Sequence, residues 1–149
     1  MNAAAKATAT TALVVRRTIA ASAEEIFDAW LDPAALAIWM RPTGIRRTSA
    51  KTDARVGGGY EIIMQGDEKT YPHHGVYRVI DRPRRLVFTW ISNGTEGGET
   101  LVTVDFLPAG QGTEVVVTHA QLPAGAHESH DKGWTSGLAR LAEFSAGNA

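Results

Sequence analysis

The residues best suited to chemistry are histidines near the C-terminus. His127 and His130 enclose Glu128, and their spacing is one residue shorter than in the His-Glu-x-x-His pattern of zinc proteases, so Glu128 would not occupy the position of the general base. His119 is expected to face inward at the end of a predicted strand. Together the three imidazoles could bind zinc, because catalytic zinc sites have three protein ligands. Alternatively they line a cavity mouth or pack as neutral rings, which a helix N-terminus favours. We expect no metal and no cofactor.

Other reactive side chains lack the context that a catalytic site needs. His73 and His74 are adjacent on a predicted strand, so at most one of them faces inward. Ser136 lies in Gly-Trp-Thr-Ser-Gly, which is not the G-x-S-x-G pattern of a nucleophile elbow. Residues 93–95 (Asn-Gly-Thr) form a glycosylation sequon, but the dipeptide Asn-Gly is also typical of a hairpin turn. We therefore assign no catalytic residue.

Aromatic side chains are the more informative group. If the strands alternate as predicted, most aromatic residues project toward one interior, where they form a core or line an apolar pocket. Apolar walls with a few polar groups are the usual composition of a small-molecule site. The predicted ligand-binding residues are Trp39, Tyr60, Ile62, Met64, Tyr77, Phe88, Trp90, Val102, Val104, His119, His130, Trp134 and Leu138.

Composition excludes several classes of protein. The 149 residues include 15 Lys and Arg against 16 Asp and Glu, so no overall charge attracts nucleic acid. The basic segment 41–55 lacks interleaved aromatics and is interpreted as a solvated rim. Without Cys there is no disulfide and no thiol nucleophile. No apolar run approaches the roughly 20 residues of a membrane span, and residues 1–12 lack a signal-peptide core. We expect a disordered tail at 1–12 on a cytoplasmic protein.

The elements that position these side chains begin with a strand and two short helices. Residues 13–20 are rich in β-branched side chains and predict the strand. Ser22 and Glu25 form a capping box before Ile26, Phe27 and Trp30, which recur at helical spacing. A second helix is predicted from residues 32–33 (Asp-Pro) to about residue 39, ending before Pro42.

From residue 45 to residue 120 the hydrophobic period is two, which predicts about six antiparallel strands with one buried face. The interior phase is predicted to be Tyr60/Ile62/Met64, Leu86/Phe88/Trp90, Val102/Val104/Phe106 and Val115/Val117. One long amphipathic helix is predicted from about residue 125 to 144, with His127, His130, Trp134, Leu138 and Leu141 on one stripe. Gly133 and Gly137 within it are expected either to allow close approach of the helix to the sheet or to leave space. The fold class is α+β, with the helix covering the apolar face of the sheet.

This order of elements resembles the helix-grip (START/Bet v 1-like, SRPBCC) superfamily, and more narrowly the subfamily related to the C-terminal domain of the Hsp90 ATPase activator. The matching segments are residues 23–30, 36–42, 55–58, 75–77, 85–90, 102–106, 112–114 and 130–134. The resemblance covers residues 13–146, which we treat as one domain, and departs at Met40, where the family often has Trp. It implies a curved antiparallel sheet of about seven strands gripping the C-terminal helix, with a cavity between them, and carries over no catalytic residue.

Three functions follow as alternatives. The favoured one is a module that binds a small apolar or aromatic molecule between sheet and helix. The second is a cyclase- or hydrolase-like enzyme using the same cavity, with His119, His130 or Tyr60 as acid or base. The third is a protein associated with Hsp90, although a complete activator has a further N-terminal domain and only a weak chaperone contact is expected here. We expect a monomer or homodimer with no nucleic-acid partner.

Overall fold

The computed structural model describes residues 12–147, so residues 1–11 of the predicted tail lie outside the described part. The strands are β1 (Leu13–Ile19), β2 (Arg47–Thr52), β3 (Gly59–Gln65), β4 (Thr70–Asp81), β5 (Arg85–Ser92), β6 (Thr100–Ala109) and β7 (Gly112–Ala120). The α-helices are α1 (Ala23–Ala29), α2 (Pro33–Trp39) and α3 (His127–Gly147). Single 3₁₀ turns occur at Asn93–Thr95 and Ala124–Ala126.

The seven strands form one antiparallel sheet in the order β1-β7-β6-β5-β4-β3-β2. Because β1 and β2 lie at opposite edges, α1 and α2 connect the two edges of the sheet. The sheet curls into a half-barrel around α3, and the predicted α+β helix-grip architecture is confirmed. Among the described residues, no helix combines the length and the apolarity that crossing a membrane would require.

The predicted interior phase of the strands is confirmed. Val102 and Val104 are completely buried, whereas Thr103 and Asp105 between them are partly exposed. The same alternation buries the predicted residues of β3, β5 and β7. Their side chains form the core together with the buried faces of the three helices.

Local capping explains where the two short helices begin. The hydroxyl of Ser22 accepts a hydrogen bond from the Glu25 amide (3.1 Å) and donates to Glu25 Oε1 (3.0 Å). The Glu25 carboxylate therefore accepts from the Ser22 hydroxyl. In a standard capping box it would accept from the backbone amide of Ser22 instead. Asp32 Oδ1 accepts from the Ala34 amide (3.0 Å) to start α2, which ends at Trp39 as predicted.

The long helix α3 differs from its prediction in two respects. It runs to Gly147, three residues further than expected, and it is preceded by a 3₁₀ turn rather than starting at Gly125. The expectation that Gly133 and Gly137 allow close approach is wrong, because a Cβ at either position would meet no atom within 4 Å. These glycines leave space beside the helix instead.

Candidate functional site

An open cleft of about 990 Å³ lies between α3 and the inner face of the sheet. The β3–β5 wall contributes Met64, His73 and Trp90, and α3 contributes His130, Gly133 and Trp134. Further walls are the segment 42–45 after α2, the 3₁₀ turn after β5 and Arg17 on β1. Parts of the chain that are far apart in sequence thus meet at one site.

Trp90 is the centre of the aromatic wall. Its ring centroid lies 4.7 Å from that of His73 and 5.2 Å from that of Trp134. Trp134 in turn stacks on Trp30 of the core at 5.9 Å. The cleft floor is therefore continuous with the packed interior, and its shape depends on core packing.

Behind this wall, His119 is held in a directed chain of hydrogen bonds. The indole Nε1–H of Trp134 donates to His119 Nδ1 (3.0 Å), and an indole nitrogen can only donate. The proton of the neutral imidazole must then be on Nε2, which donates to Thr100 Oγ1 (2.8 Å). Thr100 completes the chain by donating to the carbonyl of Trp90 (2.6 Å). Each polar hydrogen in the chain has an acceptor.

These hydrogen bonds leave His119 unable to act as an acid, a base or a metal ligand at neutral pH. Burial, reinforced by nearby His130 and His127, lowers its pKa to about 3. Both of its ring nitrogens are engaged, so binding a metal would break one of two buried hydrogen bonds. Within residues 12–147, no group of three His, Asp or Glu side chains is arranged to hold a metal ion.

His130 presents the opposite arrangement, with one nitrogen free. Its Nδ1 lies 2.8 Å from the Ala126 carbonyl, which can only accept, so Nδ1 carries the proton. Burial lowers the pKa of His130, and the Ala126 bond opposes this effect in part. The neutral ring therefore keeps its Nε2 lone pair as an acceptor on the cleft side.

The two histidines on β4 point to opposite faces of the sheet because they are adjacent in the strand. His73 faces the cleft, whereas His74 does not line it. The Nδ1 atom of His73 is buried without a hydrogen-bond partner among the described residues, and burial lowers its pKa to about 4. His73 is therefore a neutral aromatic wall at ordinary pH.

Tyr60 supports the sheet from within and is not free for catalysis. Its hydroxyl crosses Gly75, its partner on β4, and donates to the Thr89 carbonyl on β5. A Cβ at Gly75 would overlap that carbonyl, so the crossing requires glycine. Burial raises the pKa of Tyr60 well above its ordinary value.

Two connecting segments close the ends of the cleft. The Thr43 amide donates to Ser136 Oγ (3.2 Å), which ties the segment after α2 to α3. The 3₁₀ turn after β5 lies against His130, since a Cβ at Gly94 would be 3.2 Å from its Cε1. This turn replaces the simple hairpin turn expected at 93–95 and is capped by Ser92.

The predicted ligand-binding residues separate into three groups. Those that line the cleft are Met64, Trp90, His130 and Trp134. Those that surround a much smaller adjoining void are Tyr60, Ile62, Tyr77, Phe88 and Trp90 again. Those that lie in the packed core behind these walls are Trp39, Val102, Val104, His119 and Leu138. Contact of any of them with a ligand stays a prediction.

Sequence reasoning missed several residues of the cleft. His73 could have been found by counting back in steps of two from the inward-facing Tyr77. The segment 42–45 and Ser92 carry no comparable signal, because irregular connections have no period. Arg17 also lines the cleft and continues the inward phase of Val15 and Ile19 on β1.

A half-barrel sheet closed by a C-terminal helix, with a cleft between them, defines the helix-grip class of proteins. Residues 20–146 match the family model described as "Activator of Hsp90 ATPase homolog 1-like protein". The chain belongs to this family. No functionally curated protein is significantly similar to it.

Solved structures from bacteria share the fold over nearly their whole length. A Chromobacterium violaceum protein is 25% identical, with a TM-score of 0.80 and coverage of 91% of this chain and 96% of that one. A Rhodobacter sphaeroides protein is 26% identical, with a TM-score of 0.80 and coverage of 93% and 94%. The AHSA1 protein of Silicibacter pomeroyi is 25% identical, with a TM-score of 0.79 and coverage of 93% and 100%.

Proposed function

We propose that the protein binds a small, mainly apolar or aromatic molecule in the cleft between α3 and the sheet. The observation that carries this proposal is the combination of size and lining. A volume of about 990 Å³ lies within the range of roughly 300–1,000 Å³ that small-molecule sites occupy. Apolar atoms make up most of the lining, with His73, Trp90 and Trp134 in one wall, and polar side chains that include His130, Asp131 and Lys132 are available to orient a ligand.

Two measurements test the proposal. Native mass spectrometry of protein purified gently from its own host should show a co-purifying mass that is lost on denaturation. A hydrophobic fluorescent probe should bind the purified protein with one-site saturation. Gly133→Leu, which adds a side chain on the cleft side of α3, should weaken probe binding about tenfold or more. Glu143→Leu adds the same side chain at an exposed position of α3 outside the cleft and should leave binding unchanged.

Equal probe binding by wild type and Gly133→Leu would place the probe elsewhere and contradict the proposal. So would the absence of both a co-purifying mass and saturable probe binding.

A second candidate function is stimulation of an Hsp90-type ATPase, and it is favoured by the family match over residues 20–146. The test is the ATPase rate of Hsp90 from the same host with and without this protein. A saturable increase would support it, and an unchanged rate at high protein excess would exclude it.

An enzymatic function in the same cleft finds less support from the side chains. Of the three residues considered as acid or base, His119 has both nitrogens engaged and the Tyr60 hydroxyl donates to a backbone carbonyl. His130 alone keeps a free nitrogen on the cleft side.

A further inference from the structure

His130 presents a well-oriented hydrogen-bond acceptor to the cleft. The bond from His130 Nδ1 to Ala126, four residues earlier, fixes the ring at the start of α3. The Cε1–Nε2 edge is turned toward the 3₁₀ turn after β5, since a Cβ at Gly94 would lie 3.2 Å from Cε1 and 3.6 Å from Nε2. No described residue donates a hydrogen bond to Nε2, which leaves it available to a ligand.

The surroundings keep this nitrogen an acceptor rather than a donor. The imidazoles near His130 are those of His119, whose ring centroid is 5.1 Å away, of His127 on the preceding turn and of His73 on β4. None of them supplies the negative charge that would favour protonation of His130, and the carboxylate of Asp131, which also lines the cleft, is exposed and accepts a hydrogen bond from Thr135 (3.2 Å). The start of α3 adds the positive end of the helix dipole, which also disfavours an imidazolium.

The ring of His73 is the accessible aromatic surface of the nearby wall, because Trp90 and Trp134 behind it are each only 4% exposed. Trp90 lies between His73 and Trp134, with ring centroids at 4.7 and 5.2 Å. Aromatic rings pack favourably on such surfaces in offset or tilted arrangements. A planar ring against His73 could reach His130 with a substituent at its edge, since His130 is near enough to influence the pKa of His73.

We propose that the cleft recognises an uncharged planar aromatic molecule bearing a hydroxyl group, whose O–H donates to Nε2 of His130. This inference rests on the proposed function and names the chemical class of its ligand. A carboxylate in the same position has no hydrogen to donate, and its lone pairs would repel the lone pair of Nε2. The cations Arg17 and Lys132 also line the cleft, but both are exposed and Lys132 is 3.6 Å from Glu128.

Three probes of similar size test the inference at pH 7.5, with binding followed by quenching of tryptophan fluorescence. They are 2-naphthol, 2-methoxynaphthalene and 2-naphthoate. We expect 2-naphthol to bind about 3- to 10-fold more tightly than the methyl ether, the difference that one net hydrogen bond supplies. We expect 2-naphthoate to bind no better than the ether.

Variants identify the acceptor. His130→Phe should bring the ratio of the naphthol and ether affinities to about one while leaving binding of the ether within about twofold. His127→Phe, one turn earlier and outside the cleft lining, should keep the wild-type ratio. His73→Phe should also keep it. The imidazole ¹⁵N signal of His130 Nε2 in the wild-type protein should shift on addition of 2-naphthol but not of the ether, which is a test independent of any variant.

Several results would overturn the inference. Equal binding of 2-naphthol and its ether by wild type would contradict the hydroxyl preference but leave the proposed function standing. Tighter binding of 2-naphthoate would point to recognition by Arg17 or Lys132 instead. Loss of the preference in His73→Phe but not in His130→Phe would exclude His130 as the acceptor. No saturable binding of any probe would contradict both the inference and the proposed function.

Discussion

At the scale of single residues, the two inward-facing histidines near α3 differ because their hydrogen-bond partners differ. His119 receives a hydrogen from Trp134 and gives one to Thr100, so neither nitrogen is left over. His130 gives its hydrogen to a backbone carbonyl and keeps a lone pair on the cleft side. Residue type alone predicted the same role for both, and only their partners distinguish a structural imidazole from one available to a ligand.

The His119 chain should contribute measurably to stability. Thr100→Val keeps the side-chain shape but leaves the buried Nε2–H of His119 without an acceptor. We expect the free energy of unfolding to fall by about 1–3 kcal/mol in urea denaturation. Thr103→Val, on the outer face of the same strand, is the matched control and should change it by less than about 0.5 kcal/mol. Equal effects of the two substitutions would contradict the chain as described.

The buried histidines also predict a dependence of stability on pH. The pKa of His73 is lowered to about 4 and that of His119 to about 3, both from 6.5, chiefly by burial. As the pH falls below about 6.5, the unfolded chain binds these protons and the folded chain does not, so the unfolded state is favoured. Each histidine then lowers the free energy of unfolding by up to about 1.4 kcal/mol per pH unit until its folded pKa is reached.

Urea denaturation between pH 7 and pH 4.5 measures this slope, in a range above most carboxylate titration. His73→Phe should give a shallower slope than wild type because it removes one of the histidines whose pKa is lowered in the folded protein. His74→Phe, at the exposed neighbouring position, should keep the wild-type slope. A slope unchanged by His73→Phe would show that His73 is protonated freely in the folded protein.

At the scale of elements, period-two alternation was sufficient to predict the strands and their buried faces. Strands β3, β5, β6 and β7 each bury every second residue. Shifting the register of a strand by one residue would place polar side chains such as Asp105 in the core. The same counting, continued along β4, would have assigned His73 to the interior. The ends of α3 were predicted less well, because the helix tail has no strong terminating residue before Gly147.

The free space beside Gly133 and Gly137 of α3 predicts that alanine at either position stabilises the helix. A Cβ at Gly133 or Gly137 meets no atom within 4 Å, so Ala should fit at either position without strain. Each substitution should raise the free energy of unfolding by about 0.5–1 kcal/mol, because Ala restricts the unfolded chain and favours the helix.

The two positions differ in their relation to the cleft. Gly133 lines it and Gly137 does not, so only Gly133→Ala should also alter the affinity of a bound probe. Thermal denaturation and probe titration on both variants check the pair. Destabilisation by either substitution would mean that α3 approaches its neighbours more closely than described.

At the scale of the whole molecule, the cleft depends on segments distant in sequence, and this explains why it was only partly predictable. Trp90, Trp134 and His130 belong to periodic elements and were predicted as site residues. The segment 42–45 reaches α3 through a bond from Thr43 to Ser136, a contact between residues 93 positions apart that no local pattern encodes. Likewise the position of Gly94 against His130 depends on how α3 is seated in the half-barrel.

Trp134 joins the core to the cleft, and its truncation should therefore have two separable effects. Its indole contacts Trp30 and Trp90, bonds to His119 and also lines the cleft. Leu141, two turns later on the same helix, is completely buried and does not line the cleft. The two residues thus differ in exposure to a ligand while both stabilise the same helix–sheet contact.

We expect Trp134→Ala to lower the free energy of unfolding by less than the roughly 3–5 kcal/mol of a fully packed tryptophan, because part of the ring faces the cleft. Leu141→Ala should lower it by about 2–5 kcal/mol. Probe affinity should change only in Trp134→Ala, since that substitution alone removes an aromatic wall and enlarges the cleft. Urea denaturation and probe titration on both folded variants provide the test. If neither the wild type nor Trp134→Ala binds the probe, and Trp134→Ala shows the full loss of a packed core residue, the indole does not face a ligand site. The function of the protein would then have to be sought on its outer surface.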